Sequence, residues 1–399
     1  MFNLKHPICS YRTHVNLMIN RRCGVHVLAF RACRRALKEV MDMKIVIDDK
    51  IPYIRESLAR IADEVVCIKG CDITADDVRD ADALIVRTRT RCDKALLDGS
   101  SVRFVATATI GFDHLDTRYL DEAGITWMNC PGCNSSSVAQ YVRSVLILLK
   151  NEKGMAPSSC TVGVVGCGHV GSKVVDVARR MGMRVLVCDP PLEQAGTAAG
   201  QYDFVTMEDI ARRCDIITFH VPLTRDGRHA TWHLADRAFM DSLQRCPVII
   251  NTSRGSVVDN NALLEALYIN KVKDAVIDTW ENEPDINLQL LGRVYIGTPH
   301  IAGYSADGKV NADNMVMEGL CRHFRIPLTD KIIPPALPKA AFQAAKDGIL
   351  HAEMPPFATP EECSALALYN PLADSGRLKA SPQSFEELRG NYPLRREKW

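Results

Sequence analysis

Three short stretches in the second half of the chain hold the polar residues best suited to chemistry. They are Arg254 in "INTSRGSVVDN", Glu283 in "IDTWENEPDI" and His300 in "GTPHIAGYS". An arginine, an acid and a histidine together suit oxidation of a 2-hydroxy acid. The guanidinium of Arg254 would clamp the substrate carboxylate and polarise the neighbouring oxygen. His300 would take the hydroxyl proton as hydride leaves C2. Glu283, hydrogen-bonded to His300, would orient the ring and favour its charged form. Singly, each has a plain structural reading: a surface Arg, a helix-capping Glu, a core His. Their weight comes from lying at the ends of apolar runs, behind a nucleotide motif. His220 in "TFHVPLT" and His114 in "FDHLD" lack such company. His220 reads as a cofactor-loop residue and His114 as structural.

The nucleotide motif is "TVGVVGCGHVGSKVVDVARRMGMRVLVCDP", where Gly166, Gly168 and Gly171 make G-x-G-x-x-G. The pattern alone is weak. Here an apolar strand precedes it, a helix pattern follows, and a second strand ends in Asp189, so the βαβ context is complete. Gly166 permits the tight turn, Gly168 lets backbone approach a pyrophosphate, and Gly171 lets helix pack on strand. The helix N-terminus offers free N–H groups and a positive dipole to the anion. Asp189 would accept bonds from the adenosine ribose hydroxyls and repel a 2′-phosphate, which predicts NAD rather than NADP.

Cys130-Pro131-Gly132-Cys133 has the spacing of a redox dithiol or of half a zinc clamp. Zinc needs a second Cys or His pair, and none has suitable spacing, so no metal site is expected. A redox dithiol needs a thioredoxin-like context, whereas this pair lies between two αβ series. It reads as a structural turn. Its place near the cleft makes oxidation of Cys133 an expected route to inhibition.

These residues need elements to hold them. "MKIVID", "DALIVRT", "VRFVATAT" and "GITWMN" read as strands, and "IPYIRESLARIADEV" as an amphipathic helix opened by Pro52. "SSSVAQYVRSVLILLKN" reads as a long helix capped by its serines and ending near Gly154. A second series follows: "TVGVVG", "MRVLVCDP", "CDIITFHVP", "CPVIINTS", "DAVIDTW" and "VYIGTPHIAG". Alternating β and α predicts an α/β fold of two doubly wound, parallel-sheet, Rossmann-like domains. In doubly wound sheets ligands bind at the carboxyl ends of the strands, where Arg254, Glu283 and His300 lie.

The motifs "GVVGCGHVG", "NTSRGSVVDN", "DTWENEP" and "TPHIAG" resemble those of the D-2-hydroxyacid dehydrogenases, over about residues 43 to 331. The resemblance implies that Arg254, Glu283 and His300 are catalytic, with His300 the proton donor or acceptor. It implies NAD as cofactor, with Asp189, Asp278 and Gly303 at cofactor positions beside the three glycines. Val221 stands where the family offers a Thr hydroxyl to NAD. Thr88, Thr109 and Tyr304 fall on substrate positions. "IVRTRT", "PGCNSSSVAQYV" and "HIAGYSADGK" point to the branch that acts on a phosphorylated four-carbon 2-hydroxy acid. A phosphorylated three-carbon acid and a non-catalytic NAD sensor are the alternatives. Arg87, Arg89 and Arg91 would share one face if extended, and a phosphate suits that face; a charged strand edge is the other reading.

The resemblance also sets the expected domains. Residues 43–136 form a substrate or lid domain, to which 302–330 return. Residues 137–301 form the NAD-binding domain. Residues 331–399 form a short α+β dimerisation region, apparently truncated, and a homodimer is expected. Residues 1–42 hold only two acids, Glu39 and Asp42, and read as a disordered extension or upstream start, with a transit peptide as the alternative. A net charge of +1 excludes a global basic field for nucleic acid or anionic membrane. No apolar run is long enough to span a bilayer. Fifteen scattered cysteines, an odd number, fit reduced core thiols in a cytoplasmic enzyme better than a disulfide framework.

Overall fold

The computed structural model describes residues 43–328, 330–336 and 358–397; the 1–42 extension lies outside them. Two parallel sheets make the α/β fold. The first has five strands in the order β2-β1-β3-β4-β5: β1 (Lys44–Asp48), β2 (Glu64–Ile68), β3 (Ala83–Val86), β4 (Phe104–Thr107) and β5 (Thr126–Met128). The second has six in the order β11-β10-β9-β8-β6-β7: β6 (Thr161–Val165), β7 (Arg184–Cys188), β8 (Ile216–Phe219), β9 (Val248–Asn251), β10 (Asp274–Ile277) and β11 (Ile296–Gly297). Strands β3, β4, β8, β9 and β10 are buried throughout. Cover on both faces explains why they read as unbroken apolar runs.

One strand lies where the sequence suggests helix. The expected helix over "IPYIRESLARIADEV" is a single turn, Arg55–Leu58, and its last residues begin β2. The segment Glu-Val-Val-Cys-Ile is rich in β-branched residues and pairs in parallel register with β1 from Lys44↔Glu64 to Asp48↔Ile68. The Asp63 carboxylate accepts the Met43 N–H at 3.0 Å and anchors the register.

The long helix α1 (Ser135–Lys153) links the sheets, but its serines do not cap it. Asn134 holds the N-cap position without a side-chain bond. Ser135 Oγ turns back to the Gly132 carbonyl at 2.8 Å, and Ser137 Oγ donates to the Ala302 carbonyl at 2.9 Å. Ser136 Oγ accepts the Lys173 ammonium. The hydroxyls are thus taken by the preceding turn and by distant residues, not by the helix's own amides. Helix α4 (Ala306–Phe324) buries Ala312, Val316, Met317 and Leu320 in one cluster with Ile45, Ile47, Ile85 and Phe104 of the first sheet.

The described C-terminal segment is helical rather than α+β. It contains α5 (Pro360–Leu368), α6 (Pro371–Ala380) and α7 (Phe385–Gly390), and its strand character is one isolated bridge, Ser305↔Arg395. Ala365, Leu366 and Tyr369 join the core around α1 and β6. Leu378 and Phe385 join the core on the other face of the second sheet. The segment therefore packs onto the cofactor-side sheet of its own chain.

Candidate active site

The glycine loop joins β6 to α2 (Gly171–Arg180). Gly166 has φ +86°, and a Cβ there would meet the His220 carbonyl at 2.7 Å. A Cβ on Gly171 would stand 1.9 Å from the Gly166 carbonyl, so the loop closes on the helix only with glycine. A Cβ on Gly168 would meet nothing within 4 Å, which leaves the side of the loop it faces open, while its carbonyl accepts Ser172 Oγ at 2.7 Å. Val170 caps α2 without a side-chain bond, so the helix keeps amides for an anion. Asp189 ends β7, where one carboxylate oxygen accepts the Cys167 N–H at 2.7 Å and the other the Leu192 N–H at 3.0 Å. It ties the glycine loop to the helix α3 (Pro190–Ala195) that it caps. These residues fit a dinucleotide: an open glycine turn, an uncapped helix start and an acid at the second strand's end.

His300 has φ +56°, beyond the end of β11. Its Nδ1 lies 2.8 Å from Glu283 Oε2, and its Nε2 has no partner among the described residues. Glu283 Oε1 accepts the Trp280 N–H at 2.9 Å. Burial opposes ionisation of Glu283, but His300, that amide and Arg389 outweigh it and hold the carboxyl below its ordinary range. Arg254 follows β9, and its Nη1 donates to the Ser253 carbonyl at 2.9 Å. Its Nη2 would lie 2.4 Å from a Cβ on Gly111, so the guanidinium rests against the loop after β4. Thr109 is in that loop, bonded through Oγ1 to Thr107 Oγ1 at 2.7 Å and to the Gly111 carbonyl at 2.8 Å.

Asp278 lies under the catalytic turn. Its Oδ1 accepts Thr298 Oγ1 at 2.6 Å and the Ile301 N–H at 2.8 Å; its Oδ2 accepts the Ala302 N–H at 3.0 Å. Burial raises its pKa. A cofactor contact would use lone pairs left on oxygens already committed to the turn. Gly303 stands so close to Asn134 that a Cβ would meet Nδ2 at 2.2 Å. Val221 packs at Gly166, its Cγ1 2.7 Å from a Cβ placed there. His220 bonds Thr218 Oγ1 at 2.9 Å, and burial pushes its pKa down to about 3, so it is neutral. His114 bonds Thr107 Oγ1 at 3.0 Å, with its pKa lowered by burial.

The expected face of Arg87, Arg89 and Arg91 does not form, because β3 ends at Val86 and the chain turns. Arg91 pairs with Asp93 at 2.9 Å, Arg89 pairs with Glu386 of α7, and the Arg87 Nε is buried without a partner. Thr88 is exposed in that turn. The Cys130 and Cys133 side chains are buried, and the Cys130 thiol points to the Ala312 carbonyl at 3.5 Å. Burial raises both thiols, Cys133 to about 12, so neither is a ready thiolate.

Three cations went unnoticed in the sequence. Lys309 follows "GYSAD", and its ammonium lies 4.6 Å from the Tyr304 ring centre. Arg389 Nε donates to Tyr304 Oη at 3.3 Å, and its Nη1 is 3.5 Å from Glu283 Oε2. Arg395 is buried and spends its guanidinium on Gln140 Oε1, Ser137 Oγ, Tyr392 Oη and the carbonyls of Ser137, Ile301, Ala302 and Tyr304. It clamps the turn after His300 to α1. The "GYSADGK" run marked Lys309; the tail's arginines have no periodic pattern to reveal them.

Residues 138–302 match the profile of the D-isomer specific 2-hydroxyacid dehydrogenase, NAD binding domain. Erythronate-4-phosphate dehydrogenase of Bacteroides thetaiotaomicron is 54% identical over 355 residues, which is 89% of this chain and 97% of that protein. The chain belongs to the erythronate-4-phosphate dehydrogenase family. The Porphyromonas gingivalis member is 40% identical over 358 residues, 89% of this chain and 94% of its own. Two solved structures share the fold at lower identity. D-lactate dehydrogenase from Aquifex aeolicus, complexed with NAD and lactic acid, has a TM-score of 0.59 at 22% identity and covers 71% of this chain and 95% of its own. The holo form of Rhodotorula graminis D-mandelate dehydrogenase has a TM-score of 0.64 at 20% identity and covers 74% and 100%. The chain is thus an NAD-dependent 2-hydroxyacid dehydrogenase.

Proposed function

We propose that the cleft oxidises 4-phospho-D-erythronate at C2, giving (R)-3-hydroxy-2-oxo-4-phosphooxybutanoate for pyridoxal 5′-phosphate synthesis. The observation that carries the reading is the His300–Glu283 pair, with Nε2 of His300 left free. Arg254 holds the substrate carboxylate and polarises the C2 oxygen as the ketone forms. Nε2 of His300 removes the hydroxyl proton. Glu283 bonds Nδ1, which fixes the ring's orientation and balances the imidazolium. Bound NAD would supply the hydride acceptor for C2. The glycine loop and Asp189 would hold it, with Asp278 and Gly303 shaping the turn beside it. Thr88, Thr109 and Tyr304 face the substrate.

The protein acts as a cytoplasmic homodimer in this reading. Its twelve described cysteines are free, which suits a reducing compartment. No described helix is long and apolar enough to cross a membrane. Comparing the mass in solution of the full chain with that of a 332–399 deletion tests the dimer. NADH absorbance tests the reaction, with 4-phospho-D-erythronate and 3-phospho-D-glycerate run in parallel, a keto-acid trap, and the reverse direction. Turnover confined to the four-carbon substrate supports the reading. Turnover with the three-carbon acid alone, or NADH binding without turnover, overturns it.

A further inference from the structure

Three cations from distant parts of the chain converge beside the reaction centre. Arg87 stands at the carboxyl end of β3, Lys309 on the first turn of α4, and Arg389 on α7. The Tyr304 side chain joins two of them: Lys309 lies 4.6 Å from its ring centre, and Arg389 donates to its hydroxyl at 3.3 Å. Arg389 also reaches to 3.5 Å from Glu283 Oε2. The fields of Arg87 and Arg389 both act on Lys309. Arg87 Nη1 donates to the Lys50 carbonyl at 3.3 Å, while its buried Nε has no acceptor.

Like charges gathered in a cleft repel, and a buried donor without an acceptor costs stability. The acids that face the group do not resolve this. Asp48 accepts the Lys50 N–H at 2.8 Å, and Asp313 accepts the Tyr53 N–H at 3.1 Å. Glu283 is engaged by His300 and Glu386 by Arg89, and both also stand near Arg389, at 3.5 and 4.0 Å. Burial, joined by Arg87, brings the Lys309 ammonium down to about 7; burial brings the Asp313 carboxyl up to about 7. Among the described residues, no carboxylate forms an ion pair with Arg87 or Lys309, and the two acids near Arg389 are shared with other cations.

We propose that Arg87, Lys309 and Arg389 form the anchor for the substrate's phosphate, with Arg389 supplied by the C-terminal segment. The proposal rests on the reaction assigned above and names the groups that select its phosphorylated substrate. Two guanidinium forks and one ammonium offer one cation to each terminal oxygen of a phosphate dianion. In the four-carbon acid, four bonds separate C2 from phosphorus. Arg389 sits one side chain beyond the His300–Glu283 pair, as a group holding the far end of that substrate must.

The test compares kcat and KM for 4-phospho-D-erythronate with those for unphosphorylated D-erythronate. It uses the full chain and the Lys309→Met, Arg389→Gln, Arg389→Lys and Arg87→Gln variants, with inorganic phosphate as a competitive inhibitor. Wild-type turnover of the phosphorylated acid is the control that stands or falls with the assigned reaction. Each neutral variant is expected to lower the preference for the phosphorylated over the unphosphorylated acid by roughly 10–100-fold. The loss should fall mainly in KM, and phosphate inhibition should weaken in step. Arg389→Lys should recover part of the preference, which a merely structural contact would not predict. An active wild type whose variants bind NADH normally yet lose both substrates equally, or keep the wild-type sensitivity to phosphate, overturns the anchor and leaves the assigned reaction standing.

Discussion

Arg395→Met separates packing from chemistry in the turn that carries His300. The guanidinium touches seven acceptors, but they do not depend on it equally. The Ile301 carbonyl also accepts the Tyr304 N–H, and the Ala302 carbonyl also accepts Ser137 Oγ. The Ser137 carbonyl lies within α1. The Tyr304 carbonyl and Gln140 Oε1 lose a charged donor, at 3.0 Å in each case. Two buried acceptors left bare cost about 2–6 kcal/mol. Loss of the cation 4.0 Å from the Tyr369 ring centre adds about 1–2 kcal/mol. Relief from burying a charge without a carboxylate partner offsets part of this. A net loss of about 3 kcal/mol is expected by urea unfolding. The freed turn begins at Ile301, next to His300, and a shift of about 1 Å there would lower kcat by up to ~100-fold. Arg395→Lys keeps the charge but not the fork, and should fall between. If Arg395→Met is destabilised by this amount yet keeps kcat within about 2-fold, the clamp does not position His300. If stability is also unchanged, the guanidinium is not buried as described.

Four further outcomes follow from the same geometry. Glu283→Gln should lower kcat by roughly 10–150-fold, the value of a charge-assisted bond of about 1.5–3 kcal/mol. Because the folded protein holds Glu283 below its ordinary range, its contribution is present above pH ~4.5 and fades as pH falls through the folded value. The stability gap between wild type and Glu283→Gln should therefore shrink between pH 6 and pH 3 in urea titrations; a gap that widens contradicts it. Asp189→Ala should weaken NAD binding, relax the preference over NADP, and cost about 1 kcal/mol through the lost helix cap; unchanged cofactor preference removes Asp189 from the ribose. Cys133→Ser should inactivate with peroxide as fast as wild type, since a thiol held near 12 is only ~10⁻⁵ thiolate at neutral pH; marked protection would restore Cys133 as the sensitive group. Phe385→Ala should cost about 3–5 kcal/mol and raise KM for the phosphorylated substrate while sparing NADH binding; an unchanged KM would uncouple α7 from the cleft.

The strands of both sheets were readable because burial on two faces writes them as short apolar runs bounded by turns. β2 was not, because Glu64–Ile68 follows an apolar helix-like pattern without a break, and only pairing with β1 distinguishes it. Arg254, Glu283, His300 and the glycines were legible because each stands in a local motif whose spacing has a mechanism. Arg395 and Arg389 were not, because their roles are set by what the tail meets on docking and not by their neighbours in sequence. The serines of α1 misled for the same reason. Local chemistry makes Ser135–Ser137 good caps, while the preceding turn at Gly132 claims the Ser135 hydroxyl and tertiary contacts with Lys173 and Ala302 claim the other two.

The tail therefore reaches the candidate site as well as the core. Within the six residues of α7, Phe385 is buried with the cofactor-side sheet, Glu386 pairs with Arg89 beyond the first sheet, and Arg389 reaches Glu283 and Tyr304. One short helix thus touches the second sheet, the turn after β3 and the His300–Glu283 pair. Six residues past Arg389, Arg395 holds the turn on which His300 stands. A 2-hydroxy acid dehydrogenase needs only the Arg, Glu and His set to oxidise a carbon bearing a hydroxyl and a carboxylate. Selecting a substrate with a phosphate at its far end calls for further positive charge at a fixed distance from that set. In the proposed anchor that charge comes from the end of β3, the start of α4 and α7 of the C-terminal segment. Substrate choice would then depend on docking of that segment, while the hydride chemistry would stay at the strand ends of the second sheet.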